Sequence, residues 1–332
     1  MSKRPNRYGV KIETPINTLL IDGNALFKFG FFGAKNEYNH NGQHIGGLYS
    51  FLNIFRKILT TDLYHRAFVF WDGNFSGKLR YEIYEDYKKN RNKDYLNGTS
   101  PIDEVELNQR KMVWDYLNEL FVRQIMDEIV ETDDFIAYYC LNRKPNEKIT
   151  IVSSDRDFLQ LIDENIRIYF LDLKTYVDNE NFSSYFCFNR ENAMLIKMII
   201  GDTSDCIKGI KGLKETKLLT LFPELNEKKL TLGDVKELAK QQQQKRLEEK
   251  KKPLKVLNYI VEGVTDGIQK EKVYEINEKL VNLKKPMLTE ASINALNTLI
   301  EGTFDISQQD LKNVLTMMRK DGLDKAMGEF RY

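Results

Sequence analysis

Five separate segments of the chain carry closely spaced acids, and their placement suggests shared chemistry. Asp22 follows the apolar run Leu19-Leu20-Ile21, and Asp72 follows Ala67 to Trp71. Asp155 and Asp157 follow Ile149 to Val152 and two serines. Glu131-Thr132-Asp133-Asp134 reads as a helix start, where Glu131 and Asp134 share a face. Asp202 and Asp205 form another pair spaced by three. Each has an ordinary explanation alone: an Asp before Gly is a common turn residue, and an acid in a first helical turn suits the helix dipole. Together they would repel unless cations lay between them. Carboxylate oxygens without His or Cys select hard cations such as Mg²⁺ or Mn²⁺. Two such ions about 4 Å apart suit hydrolysis of a phosphodiester.

The acids can converge only if the fold brings them to one edge. Leu19 to Ile21, Ala67 to Trp71, Ile149 to Val152 and Ile166 to Phe170 read as buried strands. Gly46 to Thr61 has helical apolar spacing, and Met112 to Val130 is expected to be a second helix. Strands alternating with helices predict an α/β fold with a mostly parallel sheet, whose C-terminal strand ends form a ligand edge. From residue 189 helical patterns dominate, so the chain divides into an α/β part, 1–188, and a helical part, 189–332. Residues Ser76 to Gln109 are polar, and Lys236 to Lys252, almost all charge and glutamine, reads as an exposed helix or linker.

Composition sets the outer limits. The chain has 332 residues, 42% hydrophobic and 30% charged, and no run reaches the ~20 apolar residues of a membrane helix. Its first fourteen residues lack an apolar signal core, and Cys140, Cys187 and Cys206 lack metal-type spacing. A cytoplasmic protein with reduced thiols is the expectation; His40, His44 and His65 have no ligand partner in the pattern. A net charge of +1 says little about partners, so distribution matters more. Lys88, Lys89, Arg91 and Lys93 form one basic group. Lys208, Lys211, Lys214 and Lys217 recur every third residue, which predicts one side of a helical segment.

These motifs, in this order, resemble the 5′-nucleases: flap endonucleases and the 5′-exonuclease domains of bacterial DNA polymerases. The residues that carry the resemblance are Leu20-Ile21-Asp22-Gly23-Asn24, Phe70-Trp71-Asp72-Gly73, Tyr87-Lys88-Lys89-Asn90-Arg91, Glu131 to Asp134, Ser153 to Asp157 and Gly201 to Asp205. They span residues 19 to about 222. The Tyr-Lys-Lys-Asn-Arg motif and the ending from Arg319 to Phe330 look most like the T-even phage branch of ribonuclease H type.

The resemblance implies roles. Asp22, Asp72, Glu131, Asp133, Asp134, Asp155, Asp157, Asp202 and Asp205 would hold two Mg²⁺ ions, with Mn²⁺ as a substitute, and Asp155 and Asp157 would touch metal directly. Lys88 and Arg91 would contact the scissile phosphate. Residues 76–110 would form an arch for a single-stranded 5′ end, with Tyr87, Lys89 and Lys93 touching nucleic acid and Tyr81, Tyr84 and Tyr95 available to stack on bases or pack the arch. Gly209-Ile210-Lys211-Gly212-Leu213 resembles the hairpin of a helix-hairpin-helix variant spanning about 190–222, which grips duplex phosphates. Lys214 and Thr216 replace the family's usual glycine and lysine there, and Lys208, Lys211, Lys214 and Lys217 would compensate by direct phosphate contacts. The implied substrates are flaps, nicked duplex DNA and RNA–DNA hybrids, cut during phage primer removal by a monomer in the host cytoplasm. A single-strand-binding protein or sliding clamp is an implied partner. Two other readings share part of the pattern: a PIN-type ribonuclease, which would lack the arch and the hairpin, and an inactive nucleic-acid-binding module, which would lack acids.

Overall fold

Successive residues of a strand face opposite sides of a sheet, and β1 (Ile16–Asp22) shows what this chain does with that rule. Leu20 packs on one face, Leu19 and Ile21 on the other, and all are fully buried. The computed structural model describes residues 15–91, 103–120, 122–266, 272–302 and 311–323. Its main sheet contains β1, β2 (Arg66–Asp72), β3 (Arg123–Asp127), β4 (Glu147–Ser153), β5 (Ile166–Phe170) and β6 (Thr175–Val177), in the order β3-β2-β1-β4-β5-β6. All neighbours pair in parallel except β6, which returns antiparallel to β5.

The order has a functional consequence. The chain builds outward from β1 through β2 to β3, then crosses back to add β4 on the other side. The C-terminal ends of β1 and β4 therefore flank the point where the winding reverses, the position at which open parallel sheets leave a crevice.

Helices cover both faces. Helices α1 (Gly23–Gly33), α2 (Gly46–Thr61), α3 (Lys78–Tyr81), α4 (Glu104–Glu119) and α5 (Thr132–Leu141) lie between the strands in sequence. Phe27, Phe51 and Val113 pack with Leu19 and Ile21, whereas Phe135 and Ile136 of α5 pack with Leu20. A fully buried side chain of this size contributes about 1.5–3 kcal/mol, an upper figure because unfolded chains are already partly collapsed.

Beyond the sheet come α6 (Ala193–Ile200), a two-residue ribbon of β7 (Gly201–Asp202) with β8 (Ile207–Lys208), and then α7 (Glu215–Leu221), α8 (Glu224–Glu227), α9 (Leu232–Glu248), α10 (Lys255–Glu262), α11 (Lys272–Val281), α12 (Glu290–Glu301) and α13 (Leu311–Lys320). These helices do not stand apart from the sheet. One apolar cluster runs from Phe70 and Ile151 through Ile199 and Leu218 to Leu296. Gln160 Nε2 donates to the Val281 carbonyl at 2.8 Å, and Tyr116 Oη donates to Asp321 at 2.8 Å.

One segment differs from the sequence expectation. The helix expected over Met112 to Val130 ends at Glu119, and β3 occupies 123–127. As an edge strand with polar Arg123, Gln124 and Asp127, β3 offers little apolar alternation to detect. The run from Lys236 is the expected, mostly exposed helix: it lies largely within α9, which buries Val235 and Ala239 and packs along α10. Among the described residues no helix is long and apolar enough to cross a membrane.

Candidate metal and nucleic-acid site

Strand ends place the central acids, and local backbone bonds fix their rotamers. Asp22 caps α1: its Oδ1 accepts the Ala25 N–H at 2.9 Å and its Oδ2 accepts the Ser153 hydroxyl at 2.8 Å. Asp72 Oδ1 accepts the Thr132 N–H at 2.9 Å, tying the end of β2 to the start of α5. Asp155 Oδ1 accepts the Asp157 N–H at 2.8 Å. Among the described residues, the second oxygen of Asp72 and of Asp155 has no donor, so both remain available to a cation.

These residues line an open cleft of about 440 Å³ together with Lys88, Arg91, Glu131, Asp133, Lys197, Asp202 and Asp205. Burial, then the charges of Asp72 and Asp155, push the Asp22 carboxyl up to about 7. Burial and the charges of Asp155 and Asp22 also raise Asp133 well above the usual carboxylate range. Two polar atoms on the wall, Asn24 Nδ2 and Thr132 Oγ1, have no partner among the described residues. Among the described residues no three acids close on one point as a finished cage.

Cations sit on two sides of this centre. Lys88 Nζ contacts Glu131 and lies 3.8 Å from Asp205, while Arg91 pairs with Asp205 at 2.7 Å. The Lys88 backbone is left-handed, with φ of 52°, and its N–H donates to the Asp205 carbonyl at 2.9 Å. For a lysine this conformation costs about 1 kcal/mol or more, and such strain concentrates at functional positions. On the opposite side Lys197 pairs with Asp157 at 2.6 Å and with Asp202. Burial works against the Asp202 charge, but Lys197 and Ser204 hold its carboxyl down at about 2.

The family model for the 5′-3′ exonuclease N-terminal resolvase-like domain matches residues 17–187, more than half of the chain. The chain belongs to the 5′-3′ exonuclease family. It is a nuclease of that class. It is similar to the 5′-3′ exonuclease of Mycoplasmopsis pulmonis, 28% identical over 309 residues, covering 91% of this chain and 93% of that protein. It is also similar to the thermostable DNA polymerase I of Thermus caldophilus, 26% identical over 207 residues, covering 62% of this chain but only 24% of that longer protein. Among solved structures, the T5 5′-exonuclease with bound divalent zinc ions has a TM-score of 0.61 at 17% identity, covering 91% of this chain and 99% of that one. A product complex of the bacteriophage T5 flap endonuclease with DNA and metal ions has a TM-score of 0.57 at 18% identity, with the same coverage. At these identities the two structures bear on the fold alone.

Within this nuclease the acids of the sequence pattern do not all meet in the cleft. Asp134 points away: its carboxylate accepts two bonds from Arg80, at 2.5 and 3.0 Å, and the Met287 N–H at 2.9 Å. With its surface 1% exposed, it belongs to a buried ion pair. Glu131 lines the cleft but also accepts Arg80 at 2.7 Å and Tyr87 Oη at 2.9 Å. Burial alone would raise its pKa, yet the Lys88 and Arg80 charges hold it down at about 2. Asp157 sits at the margin beside Lys197, and burial and Asp155 raise its pKa against the pull of that lysine.

The expected nucleic-acid contacts divide in the same way. Tyr87 is 3% exposed with its hydroxyl on Glu131, so it packs beneath the site and offers no face to a base. Tyr84 is half-buried against the same apolar cluster. Lys89 is exposed and pairs with Asp86 at 3.1 Å. Lys93 and Tyr95 lie outside the described residues, as does the chain beyond Leu323. The four lysines spaced by three do not share a helix. Lys208 is on β8, Lys211 in the following turn, Lys214 caps α7 and Lys217 is inside it. Lys211 pairs with Asp266 at 2.6 Å and Lys208 with Asp86 at 3.6 Å. Gly209 is demanded by packing, because a Cβ there would meet the Ile200 carbonyl group at 2.0 Å. Gly212 needs its freedom for a φ of +71° in the turn.

Two cations that pair with these acids escaped the sequence reading. Lys197 had a signal, a lone lysine in the apolar helix Ala193–Ile200 just before Gly201-Asp202. Arg80 had none, since it lies in a polar stretch where a buried arginine has no distinguishing spacing.

Proposed function

We propose that this nuclease hydrolyses phosphodiesters near 5′ ends of flaps, nicked duplexes and RNA–DNA hybrids, using two Mg²⁺ ions for which Mn²⁺ can substitute. The observation that carries this reading is the central group Asp22, Asp72, Asp133 and Asp155, which is concentrated at the sheet's switch point with, among the described residues, no lysine or arginine bonded to any of the four. An all-oxygen donor set with this much unbalanced charge fits hard divalent cations. Asp22, Asp72, Asp133 and Asp155 would hold them, with Asp157, Asp202 and Asp205 in outer positions. Bound there, the ions supply the charge that activates water and stabilises the leaving oxygen.

The chain's own groups do the positioning. Lys88 and Arg91 present positive charge on one rim of the cleft, where a scissile phosphate would be clamped and its developing charge stabilised. Glu131 holds the Lys88 ammonium in place, and burial of that pair fixes its direction. The α6–ribbon–α7 segment, with its exposed lysines, would grip duplex phosphates in the manner of a helix-hairpin-helix. DNA is the partner, the protein acts as a cytoplasmic monomer, and contact with a single-strand-binding protein or sliding clamp belongs to the same reading. The T5 flap endonuclease complex with DNA and metal ions supports it by similarity of fold.

The test is cleavage of 5′-labelled flap, nicked and hybrid substrates with Mg²⁺, with Mn²⁺ and with EDTA. Cutting near the 5′ end that stops in EDTA is the expected result. Equal cutting in EDTA would remove the metal assignment.

A further inference from the structure

We propose that the helical hairpin of α9 and α10 ends in a second phosphate-binding surface, which meets the duplex beyond the α6–ribbon–α7 segment and so sets the length of stem the nuclease needs for full affinity. The inference rests on the duplex grip proposed above for that segment. Residues 245–255 hold six lysines and arginines against two acids, a local charge of +4 on a chain of +1, so all other residues together carry −3. Both acids are engaged. Glu249 takes Lys251 at 2.7 Å, and Glu248 accepts the Gln244 amide at 3.1 Å. Lys245, Lys250, Lys252 and Lys255 are exposed and, among the described residues, have no carboxylate bonded to them. So concentrated an excess on an otherwise acidic chain attracts a polyanion.

The tip is braced. α9 ends in a closed turn, where the Lys250 N–H donates to the Leu247 carbonyl at 3.0 Å and the Lys251 N–H to the Arg246 carbonyl at 2.8 Å. That pattern puts residue 250 in the left-handed region, with φ of 52°, where glycine is the usual occupant. A lysine there is strained, and strain that glycine would relieve concentrates at functional positions. Arg246 donates twice to the Lys252 carbonyl, at 3.1 and 2.9 Å. Gln243 accepts the Leu254 N–H at 3.1 Å and donates to Asn258 at 2.8 Å. Ammonium groups on a loop fixed in this way lose less freedom on meeting phosphates than groups on a loose one.

The root of the same hairpin abuts the glycine turn. The Lys211 N–H donates to the Val264 carbonyl at 3.0 Å, just past α10, and the Thr265 hydroxyl donates to the Gly209 carbonyl at 2.6 Å. Gln242 of α9 donates to the Leu221 carbonyl at the end of α7. α10 has eight residues, so Lys255 at its start stands about 12 Å from that root. Phosphates along one strand advance about 3.4 Å per base pair, so the tip reaches phosphates roughly three or four base pairs further along a duplex held at the turn. A membrane surface does not suit the hairpin, because Leu247 is the one large apolar group exposed on it among the described residues.

The full chain, held in EDTA, is mixed with labelled 5′-flap DNAs whose stems lengthen in steps of about four base pairs, and binding is followed by anisotropy over a range of salt. The unaltered chain should gain about tenfold in affinity at one step, where the slope of log affinity against log salt steepens by about 3. The triple variant Lys250→Gln, Lys252→Gln, Lys255→Gln should match it on shorter stems and lack that gain. Lys250→Gly alone guards against a folding artefact: it relaxes the turn, so Tm should hold or rise while the long-stem salt slope falls by about 1. Parallel curves for the triple variant and the unaltered chain at every stem length overturn the proposal and leave the tip to an acidic protein. If Lys211→Gln with Lys217→Gln leaves duplex affinity intact while the triple variant weakens it, the tip stands and the α6–ribbon–α7 grip falls instead.

Discussion

Glu131 and Asp155 both sit at the C-terminal edge of one sheet, and the carboxylate groups around them have opposite electrostatic situations. At the Glu131 corner, Arg80 bridges Glu131, Asp134 and the Leu280 carbonyl, Lys88 contacts Glu131 and Tyr87 donates to it. The charges there are matched, and Glu131 ionises at about 2. Around Asp155 the nearest charges of Asp22 are Asp72 and Asp155 themselves, and its carboxyl is pushed up to about 7. The same residue type thus meets two situations: at the Glu131 corner acids are matched by arginine and lysine, and around Asp155 acids face one another, where the proposed function would seat a cation. Proximity to the strand ends does not distinguish them. The donors opposite do.

The comparison can be broken at either side. Replacing both Asp155 and Asp157 by Asn should lower the cleavage rate by about a thousandfold or more, because one central and one outer carboxylate of the proposed metal site are lost. Flap binding, measured by anisotropy in EDTA, should stay within a few-fold. A double variant that cuts normally with Mg²⁺ would show that the metal lies elsewhere.

Arg80→Met strikes the matched corner and should act on stability first. It leaves buried Asp134 without its cation and Glu131 with Lys88 alone, a loss of about 3–5 kcal/mol. Chemical denaturation should show the midpoint falling accordingly. Activity lost in a variant of unchanged stability would instead make Arg80 part of the chemistry.

Asp22→Asn should do the reverse in the metal-free protein. Removing one repelling charge should raise stability by about 1 kcal/mol, or a few degrees in Tm, while shrinking the Tm gain from added Mg²⁺. A drop in metal-free Tm would argue that Asp22 is held mainly by its bonds to Ala25 and Ser153.

The smallest effect is the pH dependence that sharpens the contrast. In the native metal-free protein Asp22 keeps its proton up to about 7, whereas an unfolded aspartate loses it near the ordinary carboxylate value of about 4. The native state binds more protons across that window, so this group makes stability fall as pH rises from about 4 to about 7. Saturating Mg²⁺ should flatten the slope, and its binding at pH 6 should release protons measurable by calorimetry in two buffers. An equal slope with and without metal would separate Asp22 from the metal site.

Much of this was readable before any coordinates. Apolar runs ending in acids gave β1, β2 and β4 with their aspartates, because a buried parallel strand must be apolar and must stop where polar groups begin. α2 appeared with the bounds its periodicity indicated, Gly46–Thr61. The edge strand β3 was invisible because it is paired and packed too little to need a pattern. The lysines from Lys208 to Lys217 misled, because regular spacing implies a helix only where the backbone is helical, and Gly209 and Gly212 make a turn there.

The sequence by itself determined which residue types would reach the sheet edge, since strand ends and helix starts are local events. What only the tertiary structure decided was the partner of each. Arg80 finds Glu131 and Asp134 across 51 and 54 positions of chain, and Lys197 meets Asp157 from another helix. Whether a carboxylate is a brace or a metal ligand depends on the charge and donors beside it. Those neighbours come from distant segments, brought together when the sheet's two faces are packed.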